Sequence, residues 1–369
     1  MKRLLVFTSS SILDPSPRLR GKAIVEMLQD LGFEASWHPY EKPPSSPIPE
    51  FLYAMRDSMR KISLVRRSPY DTGIMVQRYI AEYSPWTKLC HMSSLFRYMP
   101  TCLSFVFAFF TKFVLKREFI YDIDDGLFLA RPMEVPLLLS MADNVIVGGH
   151  TLYEYASRYN KKVILLPTCV NTDEYLKERN VEPGQIPRLG FIGSPSTTVY
   201  INKVLTPIKR LAESYDFEFA IASARNDEEY KPYNSMFEKL RKSNVRVQLL
   251  KWSLENEIDI LKNIDIGLAP LFGTDWDKYK CGFRVINYMA ACIPPVASAV
   301  GEHNFIIDDG VNGFLCRNDE EWTSKLKMLI EDEKLRMVMS RNARSTAEQK
   351  YSLKGNINCL ASLYNTDGD

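Results

Sequence analysis

The chain has 369 residues, 46% of them hydrophobic and 25% charged, and its 47 Lys+Arg against 45 Asp+Glu leave a formal charge of +2. This length exceeds one ordinary core and predicts two domains. The composition excludes a disordered or fibrous chain, and the near-neutral balance gives no footing for nucleic-acid binding. Seven cysteines without a C-x-x-C pair or a histidine cluster read as reduced, buried thiols of a cytoplasmic protein, not as a zinc site or a disulfide framework. The chain enters a strand at once (Arg3–Phe7), without the layout of a signal peptide.

In chain order, Arg3–Thr8 is strand-like, a Ser/Pro-rich loop runs to Pro17, and Arg18–Leu31 has the spacing of an amphipathic helix stopped by Gly32. Ala35–Tyr40 is a second strand. From Glu50 to Glu118 there are 11 Lys/Arg and 5 Asp/Glu, a local +6, so the remainder carries −4. Within this segment Ala54–Arg67 reads as a helix with Arg56, Arg60 and Arg67 on one stripe, which either lies on an anionic membrane or is a solvated face. Tyr98–Thr111 is uncharged but too short to span a membrane, so it packs on a sheet or lies in a lipid interface. Phe119–Ile123 is a buried strand with Asp122, Asp124 and Asp125 at its carboxyl end. Those carboxylates either act on a bound hydroxyl or cap the next helix. Asn144–Gly148 and Lys162–Pro167 are further strands, His150 is a polar loop residue, and Lys177–Pro187 is the best linker.

Beyond the linker, a strand leads to Gly193, then Ser194, Ser196 and Thr197 precede a helix from about Tyr200. Hydroxyls and amides at a helix start suit an anion, although Ser and Thr also cap helices for structural reasons. Phe217–Ala222, Val245–Leu250 and Asp265–Leu271 continue the strands. Phe283–Cys292 has helical spacing, Pro294–Ala299 is strand-like, and Gly301 opens a turn. This alternation predicts a doubly wound parallel sheet, which binds ligands at the carboxyl ends of its strands. From Glu320 to about Asn365 the chain is charged and helical.

The order DIGLAPL, a loop with Trp276 and Lys280, FRVINYMAAC, PPVAS, VG and DGVNGFL resembles the donor half of glycosyltransferase family 4. SPRLRGK, DIDDGLF, ADNVIVGGH and LGFIGSPSTTVY extend the resemblance over nearly the whole chain. It implies the α/β GT-B fold: an acceptor-binding Rossmann-like domain over 1–178, a nucleotide-sugar donor domain over 187–350, the two facing a cleft, and a helix over 351–369 returning to the first domain. It implies a retaining, metal-independent hexosyltransferase of the EC 2.4 class. The chain would move a sugar from a nucleotide-diphosphate donor to a glycan or lipid-linked acceptor in cell-surface polysaccharide biosynthesis. The nucleotide sugar is then a substrate and no cofactor is implied. By position, Arg284, Lys280, Asp124 and Asp125 would be catalytic. Gly193, Ser194, Ser196, Thr197, Trp252, Asn287, Gly301, Glu302, His303 and Asn304 would bind the donor, with Trp252 alternatively core filler. Arg18 and Arg20 would meet a phosphate or acidic sugar of the acceptor, or be ordinary helix-start charges. The family often carries two glutamates seven residues apart, where this chain has Tyr279 and Asn287. Two other functions are compatible with the fold, a non-hydrolysing nucleotide-sugar epimerase and a non-catalytic nucleotide- or glycan-binding relative. The protein would work in the cytoplasm, at the inner face of the membrane if residues 54–67 make peripheral contact with anionic lipid.

Overall fold

A computed structural model describes residues 3–9, 13–40, 50–78, 94–175 and 185–364. The chain divides into two compact units, one of Met1–Cys169 with Asn356–Asp369 and the other of Val170–Gly355. The linker expected at Lys177–Pro187 falls mostly outside the described residues.

The first unit is a parallel sheet of β1 (Arg3–Thr8), β2 (Glu34–Pro39), β3 (Thr72–Gln77), β4 (Phe119–Ile123), β5 (Asn144–Val147) and β6 (Val163–Leu165), in the order β2-β1-β3-β4-β5-β6. Every residue of β3 and β4 is buried, the pattern of strands covered on both faces. The sequence reading does not place β3, the short run TGIMVQ. The strand order reverses between β1 and β3, so the carboxyl ends of those two strands bound the natural crevice.

The first helix runs from Pro15 to Asp30, wound as a π-helix through Arg18–Lys22. Gly21 lets it approach the sheet, because a Cβ there would lie 2.5 Å from Thr8 Cγ2 and 2.8 Å from Trp37 Nε1. The helix Glu50–Arg67 turns Ala54, Asp57, Ser58, Lys61 and Val65 inward. Arg56, Arg60 and Arg67 are exposed as one stripe. Lys61 lies outside that stripe, buried and paired with Asp57 at 2.8 Å. The helix Ser94–Phe109 continues as a π-wound turn, Phe110–Val114. It buries Ser104, Phe107, Ala108 and Thr111, with Phe107 edge-on to Phe7 of β1 at 6.0 Å. No described helix is long and apolar enough to cross a membrane.

The second unit is also a parallel sheet: β7 (Arg188–Ile192), β8 (Glu218–Ala224), β9 (Arg246–Lys251), β10 (Ile266–Ala269), β11 (Pro295–Ser298) and β12 (Phe314–Cys316), in the order β12-β11-β10-β7-β8-β9. One core cluster includes Phe191, Phe219, Leu268 and Trp322, and the other includes Ile192, Ala269, Ile286 and Tyr288. Neighbouring strand residues divide between the clusters because successive side chains face opposite sides of the sheet. Here the order reverses between β7 and β10, which places the ligand-binding edge beyond Ile192 and Ala269. The helix Phe283–Ala290 seats on that edge. Its Tyr288 hydroxyl accepts from Ile192 N at 3.0 Å and reaches the Gly190 and Leu268 carbonyls at 3.0 and 3.2 Å. The ring fits because residue 267 is glycine; a Cβ there would lie 2.4 Å from it.

Candidate functional site

The site of the second unit is assembled from the loop after β7 and the first turn of Phe283–Ala290. The expected helix near Tyr200 begins earlier, as a 3-10 helix over Pro195–Val204 capped by Ser194. Thr197 Oγ1 accepts from Ser194 N at 3.1 Å, and the Ser194 and Ser196 hydroxyls lie 3.1 Å apart. Arg284 enters this loop from the neighbouring helix. Its Nε donates to Ile192 O at 2.7 Å, Nη2 donates to Thr197 Oγ1 at 3.1 Å, and its guanidinium lies 4.2 Å from the Phe191 ring centre. Gly193 makes the approach possible, since a Cβ there would lie 2.4 Å from Thr197 Oγ1 and 2.8 Å from Arg284 Nη2.

Arg284 and Tyr288 are one helical turn apart and hold the two polar atoms of the same residue, the Ile192 carbonyl and amide. Burial lowers the pKa of Arg284, and among the described residues no carboxylate pairs with it. A cation in the first turn also opposes the helix dipole. All three effects leave a positive site that an anion would complete.

Lys280 brings a second cation. Its Nζ stands 5.9 Å from the centre of the Tyr200 ring, and no described carboxylate pairs with it. Tyr200 is fixed by a hydrogen bond from its hydroxyl to Asp277. The buried Asp277 carboxylate also accepts from Gly273 N at 3.1 Å and Thr274 N at 3.2 Å, closing a capping box over Asp275–Lys278. Asp275-Trp276-Asp277 is an Asp-x-Asp, which corrects the expectation, one ground for metal independence, that none stands in the donor half. Its two carboxylates have different employment, because Asp275 pairs with Lys278 at 2.8 Å.

The turn at Gly301–Asn304 closes the third side. Gly301 has φ +53°, and a Cβ there would lie 2.4 Å from the Lys278 carbonyl oxygen. The expected phosphate amides need correction: those of Gly193, Ser194, Thr197, His303 and Asn304 already donate within the protein. The Thr197 hydroxyl likewise donates to Ser194 O at 2.8 Å. Glu302 is buried and Asn304 exposed.

His303 is buried with Nδ1 3.0 Å from Ser298 O, which fixes the tautomer that donates from Nδ1. Burial pushes its pKa down to about 4. The unfolded chain takes up a proton near pH 6.5 that the folded chain refuses until about pH 4. His303 therefore favours the folded state fully above pH 6.5, and this contribution is lost as pH falls from 6.5 towards 4. The loss should reach about 3 kcal/mol. Denaturant titrations across this range should show that slope in the wild type and a shallower one in His303→Gln; equal slopes would refute the assignment.

Asn287 is in a different setting from the one expected. Its Oδ1 accepts from the Tyr175 hydroxyl at 2.7 Å, and Nδ2 donates to Glu257 Oε1 at 3.2 Å. Glu257 Oε2 accepts in turn from Trp252 Nε1 at 3.1 Å. Asn287 is 2% exposed, so its amide serves the core instead of presenting itself to a ligand. Trp252 packs on the same core, in keeping with its reading as core filler. Sequence reasoning missed Glu257, the buried carboxylate of this network. A glutamate at 287 would face it as a second buried negative charge, which gives Asn287 a physical reason.

In the first unit the expected acceptor residues are engaged internally. Arg20 is 1% exposed, donates to both Asp122 oxygens at 2.9 and 2.6 Å, and donates to Leu166 O at 2.8 Å. This corrects its reading as an acceptor contact. The π-wound turn contains it, and Arg18 beside it is half-buried. Asp124 and Asp125 neither cap the next helix nor stand ready as a base, because each takes a 2.7 Å bond from Arg78. Arg78 holds φ +68° at the end of β3, and the Tyr121 hydroxyl donates to its carbonyl at 2.8 Å. His150 begins the helix His150–Ala156.

Comparison with known proteins follows the same outline. Residues 186–332 match the family model described as "Glycosyl transferases group 1". No curated protein matches the sequence. A glycosyltransferase from Rickettsia africae has a similar structure, with TM-score 0.69 at 13% identity over 98% of both chains. A sucrose-phosphate synthase from Thermosynechococcus elongatus gives 0.72 at 13% identity over 99% of both. HepE from Anabaena, solved in complex with UDP-glucose, gives 0.67 at 12% identity over 98% of this chain and 99% of that one. The fold, two parallel six-stranded sheets with helices, is that of the GT-B glycosyltransferases.

Proposed function

We propose that the chain is a retaining, metal-independent glycosyltransferase of family 4 that uses a nucleotide-diphosphate sugar. The observation carrying this reading is Arg284, a cation in a helix's first turn held by neutral partners beside Gly193 and Thr197. When the sugar's anomeric carbon leaves the diphosphate oxygen, negative charge grows on that oxygen. Arg284 and Lys280 would stabilise it without reorganising. The acceptor hydroxyl forms the new bond to the same carbon, and its proton passes to the departing diphosphate oxygen. The group 1 match over 186–332 and the UDP-glucose complex of HepE support a nucleotide sugar, with UDP-glucose the first donor to try.

The acceptor is proposed to be a growing glycan or a lipid-linked one, in cell-surface polysaccharide biosynthesis at the cytoplasmic face of a membrane. The exposed Arg56, Arg60 and Arg67 of residues 54–67 support peripheral contact with anionic lipid. The test is product analysis after incubation with nucleotide sugars, with and without acceptor. Release of nucleoside diphosphate that depends on acceptor is the expected result. A converted nucleotide sugar would replace the proposal with an epimerase, and binding without turnover would replace it with a binding protein.

A further inference from the structure

We propose that the outer face of the helix Ser94–Phe109 and its continuation Phe110–Val114 is a lipid-insertion ridge that seats the first unit in an anionic bilayer surface. This deepens the proposed peripheral contact and rests on it, adding an apolar element to a purely electrostatic one. Phe105, Val106, Phe109, Phe113 and Val114 are 42 to 54% exposed. Spacing of three, four and seven puts Phe105, Val106, Phe109 and Phe113 on one side of the helix, and the five-residue repeat of the π-wound turn brings Val114 beside Phe109. Phe105 and Phe109 stack with ring centres 5.8 Å apart, and Phe109 and Phe113 follow at 5.1 Å. The opposite side supplies the buried Ser104, Phe107, Ala108 and Thr111, so the sheet's demand for apolar cover is already met. A continuous row of exposed phenyl rings exceeds the scattered apolar residues of an ordinary surface.

The charges beside this ridge select its partner. The basic helix Glu50–Arg67 packs next to it. The end of the ridge is tied to the end of that helix, because Arg117 Nη2 donates to Ser68 O at 2.7 Å and the guanidinium lies 5.0 Å from the Tyr70 ring centre. Arg66, Arg67 and Lys116 are therefore grouped at the Phe113 end. All three are exposed, and among the described residues none pairs with a carboxylate. On the basic helix, the exposed Met55 and Met59 accompany Arg56. Apolar rings inside a cationic rim fit the boundary between acyl chains and anionic headgroups. A protein partner would instead need acids opposite the arginines and an apolar surface opposite the rings. A second copy of this face is disfavoured, since it would bring two cationic rims together.

The experiment uses the full chain and vesicles of phosphatidylcholine with and without phosphatidylglycerol. Wild type should bind the phosphatidylglycerol vesicles in a salt-sensitive manner. Phe105→Ser/Phe109→Ser/Phe113→Ser should lose at least a hundredfold in affinity. Arg66→Gln/Arg67→Gln/Lys116→Gln should weaken binding by roughly fivefold per charge at low salt. Phe109→Trp guards against misfolding of the serine variant: relative to wild type it should gain a blue-shifted emission on adding vesicles, quenched by bromine on the acyl chains. Equal binding by the serine variant, or no emission change from the tryptophan, overturns the ridge. So does concentration-dependent dimerisation without lipid that the serine variant abolishes. Transfer to a water-soluble acceptor analogue, measured in parallel, separates the two readings. Vesicle binding without transfer refutes the transferase, and transfer without vesicle binding refutes the ridge.

Discussion

Arg284→Ala should slow sugar transfer by roughly tenfold to more than a hundredfold. A hydrogen bond to a charged group is worth about 1.5–3 kcal/mol, and each 1.36 kcal/mol is tenfold in rate. The loss should fall on turnover more than on donor affinity if the guanidinium meets charge that grows as the diphosphate departs. Arg284→Lys should recover only part of the rate, since an ammonium lacks the planar fork that reaches Ile192 O and Thr197 Oγ1 together. Tyr288 still holds the Ile192 amide in both variants, which keeps the end of β7 in place. Steady-state kinetics with direct donor binding would decide. Unchanged turnover in a folded Arg284→Ala removes this residue from the reaction.

The largest expected effect on stability lies in the other unit. Asp122 is fully buried and its pKa is raised by burial, against the opposing pull of Arg20. Arg20→Ala leaves that carboxylate without its bidentate partner and should cost about 3–5 kcal/mol. Replacing both residues by leucine should cost much less, because no uncompensated charge then remains. Urea unfolding of the two variants is the measurement. A loss below about 1 kcal/mol in Arg20→Ala would mean that water reaches Asp122 and that the pair is not structural.

Much of this architecture was legible in the sequence because buried parallel strands are written as short apolar runs. Phe119–Ile123 and Ile266–Ala269 are such runs, and their neighbours alternate with helical spacing. Two strands escaped: Thr72–Gln77 is polar at both ends, and Phe314–Cys316 is only three residues long. The site was legible in part. Gly193, Thr197, Arg284 and Lys280 lie on loops and helix starts whose order along the chain reports their position at the sheet edge. Partners distant in sequence were not legible. Asp122 lies 102 residues from Arg20, and Glu257 lies 30 from Asn287. Spacing of four with Ile24 and Leu28 sets Arg20 on the buried face, but nothing local told which carboxylate it would meet there. The identity of a residue announced its chemistry; only the fold announced whether that chemistry was already engaged.

The division of the chain into Met1–Cys169 with Asn356–Asp369, and Val170–Gly355, has a consequence for making its parts. The second unit is one uninterrupted stretch, whereas the first is split around it. During synthesis the first unit therefore lacks a piece until the ribosome has made everything in between. A fragment beginning at Val170 and stopping at Gly355 holds every residue of the site around Arg284 in a single reading frame. The complementary fragment cannot be cut out whole; it has to be rebuilt by joining Cys169 to Asn356 through a new connection. Exchange of the second unit between related chains is thus a two-junction graft, and those junctions are where such hybrids should be made.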